Sequence, residues 1–172
     1  MMIYPNHFET SVGVNAAPAD LFAQIDDPSQ LAAHMTSSSM MMAGSSMVYS
    51  FDEGGGKALG SRIVMKGSML GLKLWLEEVV TQREAPFRKV WETIGDVRLL
   101  VIGGYRMGFE IAAQGNGSRL KVFIDWRDSP FPWRWLSWLL GKAYAEWCAR
   151  SMAEGAAKSF EGLRTTDEKH AA

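Results

Sequence analysis

The sequence has few cysteines and histidines and no excess of basic residues, and each shortage excludes a class of protein. Cys148 is the only cysteine and has no partner for an intramolecular disulfide, which argues against a disulfide-stabilised secreted domain. His7, His34 and His170 show none of the spacings of zinc ligands, so we expect no metal site. Lys and Arg total 18 against 19 Asp and Glu, and this near-neutral balance argues against nucleic acid as a partner.

Long apolar runs and nucleotide-binding motifs are also missing. No stretch approaches the roughly 20 apolar residues of a transmembrane helix, and residues 1–6 contain no signal-peptide core. We therefore expect a cytoplasmic protein whose membrane contact is at most superficial. The run Gly54-Gly55-Gly56-Lys57 lacks the spacing and the hydroxyl of a P-loop, and the sequence predicts no cofactor.

The composition that remains is that of a folded globular protein. Hydrophobic residues make up 47% of the 172 residues and charged residues 22%, so the chain can bury a substantial core. We expect one domain over residues 1–164, followed by a polar tail at 165–172. The sequence carries no indication of oligomeric state.

Most of the chain shows the two-residue alternation of β-strands, interrupted at intervals by glycine or proline. The alternation predicts about seven antiparallel strands, at 7–14, 47–51, 63–69, 72–81, 88–94, 97–113 and 120–127. Turns are expected at Gly95-Asp96 and at Gly115-Asn116-Gly117. Gly103-Gly104 predicts a bulge or a bend within the 97–113 strand.

Helical patterns lie at both ends of this run of strands. Pro18 and Pro28 each begin a short helical pattern, and a loop rich in Ser and Met follows at 35–46. Residues 132–163 read as one long helix. A spacing of about 100° per residue predicts one continuous stripe facing the sheet, made of Trp135, Trp138, Lys142, Ala145, Ala149, Met152, Ala153, Ala156, Phe160 and Leu163.

Three segments carry a resemblance to a known superfamily. The segment ETSVGVNAAPADLFAQI at 9–25 ends a strand in a turn of small residues and proline, and continues into a helix with an aromatic residue. With Gly60-Ser61-Arg62-Ile63 and the helix at 152–160, it resembles the START-like superfamily, also called SRPBCC. This superfamily includes polyketide cyclase and dehydrase-like proteins and lipid-transfer domains, and the resemblance covers nearly the whole chain.

The resemblance implies an α+β helix-grip fold. In that fold a curved antiparallel sheet of about seven strands wraps around the long C-terminal helix, with two short helices after the first strand. It also implies a cavity for a small hydrophobic molecule between sheet and helix. The residues expected to line it are Tyr49, Met65, Leu74, Leu76, Tyr105, Met107, Phe109, Trp138, Lys142, Ala149 and Met152.

The alanines of the helical stripe fit two interpretations. Opposed to large strand residues they leave a void, or they let helix and sheet approach closely in an ordinary packed core.

A few polar residues interrupt these apolar faces and are candidates for chemistry. Glu78 is in register with Leu74 and Leu76, Glu92 lies between two apolar strand residues, and Lys142 interrupts the helical stripe. A carboxylate that meets Lys142 inside the cavity would bind a polar ligand group or take part in acid-base chemistry. Glu78, Glu92 and Tyr105 are the catalytic candidates. The alternative is that these residues reach solvent at strand ends or at the cavity rim.

Methionines and tryptophans cluster in two segments. Met40–Met42 and Trp133–Trp138 predict either a cavity mouth that contacts a membrane surface or another protein, or a loop and a helix that cover each other.

Three functions remain open: binding or carriage of a lipid, quinone or polyketide-like ligand, catalysis of the polyketide cyclase or dehydratase kind, and docking through the Met and Trp surface.

Overall fold

The computed structural model describes residues 3–27, 46–69 and 72–170, and the side chains of all of these except 46, 47, 69 and 162–170. The predicted helix at 28–35 and almost all of the loop at 35–46 lie outside the described residues. Among those described, nine elements follow one another along the chain. They are β1 (Asn6–Val14), α1 (Pro18–Ile25), β2 (Ser46–Phe51), β3 (Arg62–Met69), β4 (Leu72–Glu84), β5 (Arg88–Arg98), β6 (Tyr105–Gln114), β7 (Gly117–Trp126) and α2 (Arg134–His170).

The seven strands form one antiparallel sheet, as the alternation predicts. Their order is β1-β7-β6-β5-β4-β3-β2, so strands β2 to β7 form a meander and β1 pairs with β7. Gln114 pairs with Gly117 across the predicted hairpin turn, which is confirmed. Irregularities between β4 and β5 bend the ladder, and the sheet curves toward α2.

One predicted strand boundary is wrong. The expected turn at Gly95-Asp96 lies inside β5, which continues to Arg98 and pairs there with Trp75. Gly95 has a φ of 65°, and the positive φ that favours glycine in a turn serves equally in a bulge. The strand actually ends before 99–104, so the predicted 97–113 strand belongs partly to β5 and partly to β6.

Helix α1 packs against β6, β7 and α2. Pro18 begins it and Asp20 lies in its first turn, both favourable at a helix N-terminus. Leu21, Phe22 and Ile25 are buried, and the Phe22 ring packs edge-on against Phe109 of β6 at 5.6 Å.

Helix α2 packs mainly on β1 and β7. Its buried residues from Ala145 onward follow the predicted stripe, and Ala145, Ala149, Met152, Ala153 and Ala156 are all part of the core. The alanines therefore act at least partly as close-packing residues, because they lie in the same core as the large side chains of β6 and β7.

The first turns of α2 depart from the prediction. Trp135 and Trp138 are 63% and 83% exposed, and Lys142 is also exposed, so the expectation that these three face the sheet is wrong. The buried positions there are instead Ser137 and Gly141. Ser137 accepts a hydrogen bond from the Ser129 backbone, so this end of the helix packs on loops and not on strands.

Candidate functional site

The inner face of the sheet, which faces α2, is mainly apolar. Strand pairing places Tyr49 opposite Met65, and Met65 opposite Leu76. Farther along, Val80 lies opposite Trp91, and Trp91 opposite Met107. Residues that pair directly share a face, so the pairing gathers the strand residues predicted to line a cavity. These are Tyr49, Met65, Leu74, Leu76, Tyr105, Met107 and Phe109.

Glu78 lies in the middle of this apolar face. It is 4% exposed and pairs with Ile63 on one side and Thr93 on the other. The Tyr105 hydroxyl donates a hydrogen bond to its carboxylate, and the side chain of Trp91 donates a second. A buried carboxyl group with two donors and an apolar lining is the strongest polar feature of the inner face.

Strand β5 explains how two residues on separated strands meet. Strands β4 and β6 lie on either side of β5, roughly 10 Å apart. Thr93 of β5 stands between Glu78 and Tyr105, and its hydroxyl bonds the backbone N–H and C=O of Tyr105. Because Thr93 is small and engaged with the backbone, the Tyr105 ring has room to cross β5 and reach the carboxylate.

The surroundings shift the pKa of Glu78 strongly. Burial raises the pKa from 4.5 to about 7, although the hydrogen bonds from Tyr105 and Trp91 and the charge of Lys89 act in the opposite direction. Burial and the neighbouring Glu78 carboxylate raise the pKa of Tyr105 well above its usual value. Near neutral pH the pair therefore contains a neutral phenol and a carboxyl group able to gain or lose a proton.

Helix α2 and strand β2 bring further polar atoms to this place. Burial and, to a lesser degree, the charge of Glu78 raise the pKa of Tyr49. The Tyr144 hydroxyl forms a hydrogen bond with the Cys148 thiol. Burial raises the pKa of Cys148 to about 12, so this thiol stays protonated and is a poor nucleophile. The cluster formed by Glu78, Tyr105, Trp91, Tyr49, Tyr144 and Cys148 is called the inner cluster below.

Within the described residues, α2 contacts the side of the sheet formed by β2, β3 and β4 much less than the opposite side. Helix α2 packs on β1 and β7, at the opposite edge of the sheet. Met65 and Leu74 lie on the inner face but are only partly buried, as are Tyr49 and Tyr144 of the inner cluster. Met65 and Leu74 therefore keep some apolar surface exposed on the inner face, whereas Leu76 and Ile63 beside them are buried.

Lys89 is a second buried polar residue of the inner face, and the sequence pattern did not indicate it. Lys89 lies on the inner face of β5 and its ammonium contacts an Asp26 carboxylate oxygen at 2.7 Å and the Asp26 and Gly56 carbonyls at 2.8 and 3.1 Å. Arg83 bonds the other Asp26 oxygen at 2.8 Å. Burial lowers the pKa of Lys89, although Asp26 opposes this effect. The ammonium of Lys89 thus has two acceptors on Asp26, just after α1, and a third on Gly56 in the loop between β2 and β3, which is typical of a structural anchor.

The remaining sequence candidates lie elsewhere. Glu92 pairs with Val79 and with Arg106, whose guanidinium bonds Asp125, and these residues face away from α2. It is therefore on the opposite face of the sheet from Glu78, because successive strand residues alternate. Lys142 is 82% exposed and contacts the carboxylate of Glu146 at 3.9 Å, so of its two interpretations the structure agrees with the one in which it reaches solvent.

Met152 and Ala149, in contrast, are buried on the side of α2 that faces the sheet. The sequence indicated Glu78 and Tyr105 separately and did not predict their contact, because the two residues lie 27 positions apart on strands that are not neighbours. Among the residues the structure describes, no group of three or more His, Cys, Asp and Glu side chains is arranged to hold a metal ion.

Solved structures with the same arrangement of elements are numerous, although no protein-family model and no curated protein matches the chain. Truncated norcoclaurine synthase from Thalictrum flavum is 15% identical, with a TM-score of 0.61 over 89% of this chain and 91% of its own. A protein from Thermus thermophilus is 13% identical, with a TM-score of 0.62 over 92% and 99%. Ara h 8.0201 is 12% identical, with a TM-score of 0.59 over 91% and 98%.

The chain has the START-like helix-grip fold. The resemblance seen in the sequence is thus confirmed for the fold, and nearly the full length of each compared structure is matched. In this helix-grip protein the inner cluster lies between the sheet and α2. Within the described part of the chain, no helix is long and apolar enough to cross a membrane. Met40–Met42, the other half of the predicted Met and Trp surface, lie outside the described residues.

Proposed function

We propose that this helix-grip protein binds a small amphipathic molecule between the inner face of the sheet and α2. The apolar body of the ligand packs against β2, β3 and β4, and its polar group meets Glu78 and Tyr105. The observation that carries this proposal is a buried carboxyl group, bonded by a phenol and an indole, among the mainly apolar residues of the inner face. Ligand sites typically combine an apolar lining with a few convergent polar groups.

The choice of ligand class follows from the lining. Partly buried Met65 and Leu74 offer apolar contact, and methionine adapts to irregular ligand shapes. Protonated Glu78 donates a hydrogen bond to a carbonyl, and ionised Glu78 accepts one from a hydroxyl or an amine. A lipid, a quinone or a polyketide-like molecule has both an apolar body and an oxygen-containing group that can form such a hydrogen bond.

Binding is tested with Nile red, a neutral lipophilic dye, and with native mass spectrometry of the purified protein. Met65→Trp adds bulk to the inner face of β3, whereas Lys66→Trp makes the same addition to the neighbouring residue on the outer face. We expect Met65→Trp to weaken dye binding at least about fivefold, which corresponds to ~1 kcal/mol. Lys66→Trp should leave it unchanged. No dye binding by the unaltered protein, or equal affinities in both variants, would contradict the proposal.

A second candidate function is proton-transfer catalysis of the polyketide cyclase or dehydratase kind. The observation that favours it is the pKa of Glu78, which burial raises to about 7. A general acid or base works best with a pKa near the working pH, and Tyr105 is placed to hold or return a proton. Norcoclaurine synthase shows by its name that one protein of this fold is an enzyme.

Catalysis is tested by deuterium exchange next to the carbonyl of a panel of aromatic ketones, followed by NMR in heavy water. The protein should accelerate exchange of at least one ketone with an apparent pKa of about 7, set by Glu78. Glu78→Gln should abolish the acceleration while Nile red still binds. Equal exchange rates with the unaltered protein and with Glu78→Gln would reject the enzyme hypothesis and leave the binding proposal intact.

A further inference from the structure

The first turns of α2 and the residues before them present an exposed apolar surface. We call it the helix-start patch. Its members and their exposed fractions are Phe131 (90%), Trp135 (63%), Trp138 (83%), Leu139 (61%) and Leu140 (44%). Exposed apolar residues that occur singly need no explanation, but a contiguous set of large ones typically marks an interaction surface.

The patch has the periodicity of a helix that lies on a surface. Trp135, Trp138, Leu139 and Lys142 follow an i, i+3, i+4, i+7 spacing and therefore share one side of α2. Farther along the helix the exposed residues become charged, as in the pair Glu154 and Lys158. Among the side chains of α2 that the structure describes, the exposed large apolar residues thus lie at the start of the helix.

The charges around the patch are mainly positive. Residues 127–145 contain Arg127, Arg134 and Lys142 and a single acid, Asp128, whose carboxylate accepts a hydrogen bond from Ser137. The nearest following acid, Glu146, lies 3.9 Å from Lys142 and 4.0 Å from Arg150, so two cations compensate it. Tryptophan beside arginine and lysine is the composition of segments that rest at a membrane interface, and the cations attract anionic headgroups.

A second copy of the chain fits this patch less well than a bilayer does. In a symmetric dimer the same surface is used on both subunits, which would bring two copies of this basic surface together. Like charges at an interface oppose association, whereas an anionic bilayer complements them.

We propose that the helix-start patch docks this protein on an anionic lipid bilayer, with the tryptophans at headgroup depth. The patch adjoins the inner cluster, since Trp138 precedes Tyr144 by six residues, a rise of about 9 Å along the helix. Docking through this end therefore brings the ligand-binding face close to the membrane. The docking rests on the patch alone and does not require the proposed ligand site.

The test is flotation with vesicles of phosphatidylcholine, with and without about one quarter phosphatidylglycerol. The unaltered protein should float with the anionic vesicles, and less so when salt rises from about 50 to about 500 mM. The double variant Trp135→Ser with Trp138→Ser should reduce the partition coefficient at least about tenfold. Phe87→Ser is the matched control, because Phe87 is 53% exposed in the turn between β4 and β5, outside the patch, and it should float normally.

Charge and self-association are tested separately. Arg134→Glu with Lys142→Glu should abolish the gain that phosphatidylglycerol gives, because both substituted residues adjoin the patch. Absence of flotation, or equal flotation by the unaltered protein and the double tryptophan variant, would overturn the proposal. So would a dimer in sedimentation velocity that the tryptophan variant abolishes, since the patch would then serve a second copy. Nile red binding is measured in parallel, so failure of docking and failure of the ligand site are distinguished.

Discussion

The substitution Glu78→Gln should leave the stability of the protein unchanged or lower it in acidic solution, and should raise it in alkaline solution. The folded protein holds Glu78 with a pKa of about 7, while the unfolded chain has the ordinary value of 4.5. Between these two values the folded state keeps a proton that the unfolded state has released. Stability therefore falls as the pH rises through this window, and the loss is complete above pH 7.

The size of the effect follows from the same two pKa values. Each pKa unit corresponds to about 1.4 kcal/mol, so ionisation of Glu78 costs the folded state roughly 3.5 kcal/mol in all. Of this, roughly 2 to 3 kcal/mol is lost between about pH 5 and about pH 8, because the unfolded chain is already partly ionised at the lower value. Glu78→Gln removes the ionisation and retains an oxygen that accepts the hydrogen bonds of Tyr105 and Trp91.

The measurement is urea unfolding of both proteins at several pH values and constant ionic strength. We expect Glu78→Gln to be equally or less stable than the unaltered protein near pH 5 and more stable near pH 8. The difference in the free energy of unfolding should change by roughly 2 to 3 kcal/mol across this range. Asp26 acts in the opposite direction, since its pKa is lowered from 3.8 and its contribution is lost only in more acidic solution.

Glu77→Gln is the control for the removal of a carboxylate from β4. Glu77 is the neighbouring residue on the outer face, where it contacts Arg62 at 2.9 Å. If the difference between Glu78→Gln and the unaltered protein stays constant within about 0.5 kcal/mol from pH 5 to pH 8, the described burial of Glu78 is refuted. A change of equal size in Glu77→Gln would also refute the reasoning.

Three further substitutions test other contacts, each by urea unfolding. Tyr105→Phe removes a donor to the buried carboxylate, so the midpoint of the pH effect should move above 7, and an unmoved midpoint would deny the hydrogen bond. Asp26→Asn leaves the Lys89 ammonium buried without its carboxylate and should cost about 3 kcal/mol or more, whereas a loss near zero would show that the pair is dispensable. Gly108→Ala places a methyl group 2.7 Å from the Lys89 carbonyl oxygen and should cost about 1 to 3 kcal/mol. Gly13→Ala, with no atom within 4 Å, should change stability by less than about 0.5 kcal/mol, and equal losses would contradict the steric argument.

The strands were predictable because one side of the sheet is buried. In β7, Leu120, Val122 and Ile124 face the core, and such alternation is a direct consequence of strand geometry. The boundary between β5 and β6 was not predictable in the same way. Gly95 and Gly103-Gly104 both predict an interruption, and only pairing with β4 decides that the first lies in a bulge and the second between strands.

The candidate site was predictable in its residues and not in its contacts. Glu78 is conspicuous because it interrupts an apolar face, and Tyr105 because it begins the inner face of β6. Their meeting depends on the order of three strands and on the small size of Thr93, which no local pattern contains. Lys89 was missed because a lysine in a strand is normally exposed, and its acceptors come from distant parts of the chain, Asp26 after α1 and Gly56 after β2.

The start of α2 shows most clearly where periodicity fails. From Ala145 toward the N-terminus, helical geometry allows the buried stripe to continue through Lys142 and Trp138 or through Gly141 and Ser137. Apolar content favours the first path, but the helix contacts loops there, and Gly141 permits an approach in which an added Cβ would lie 3.3 Å from a backbone oxygen. The small side of the helix is therefore buried, and the large apolar side is left exposed. Because the buried side of the helix start is the small one and the exposed side is the apolar one, we assign the tryptophans to an external surface and the inner cluster to the ligand.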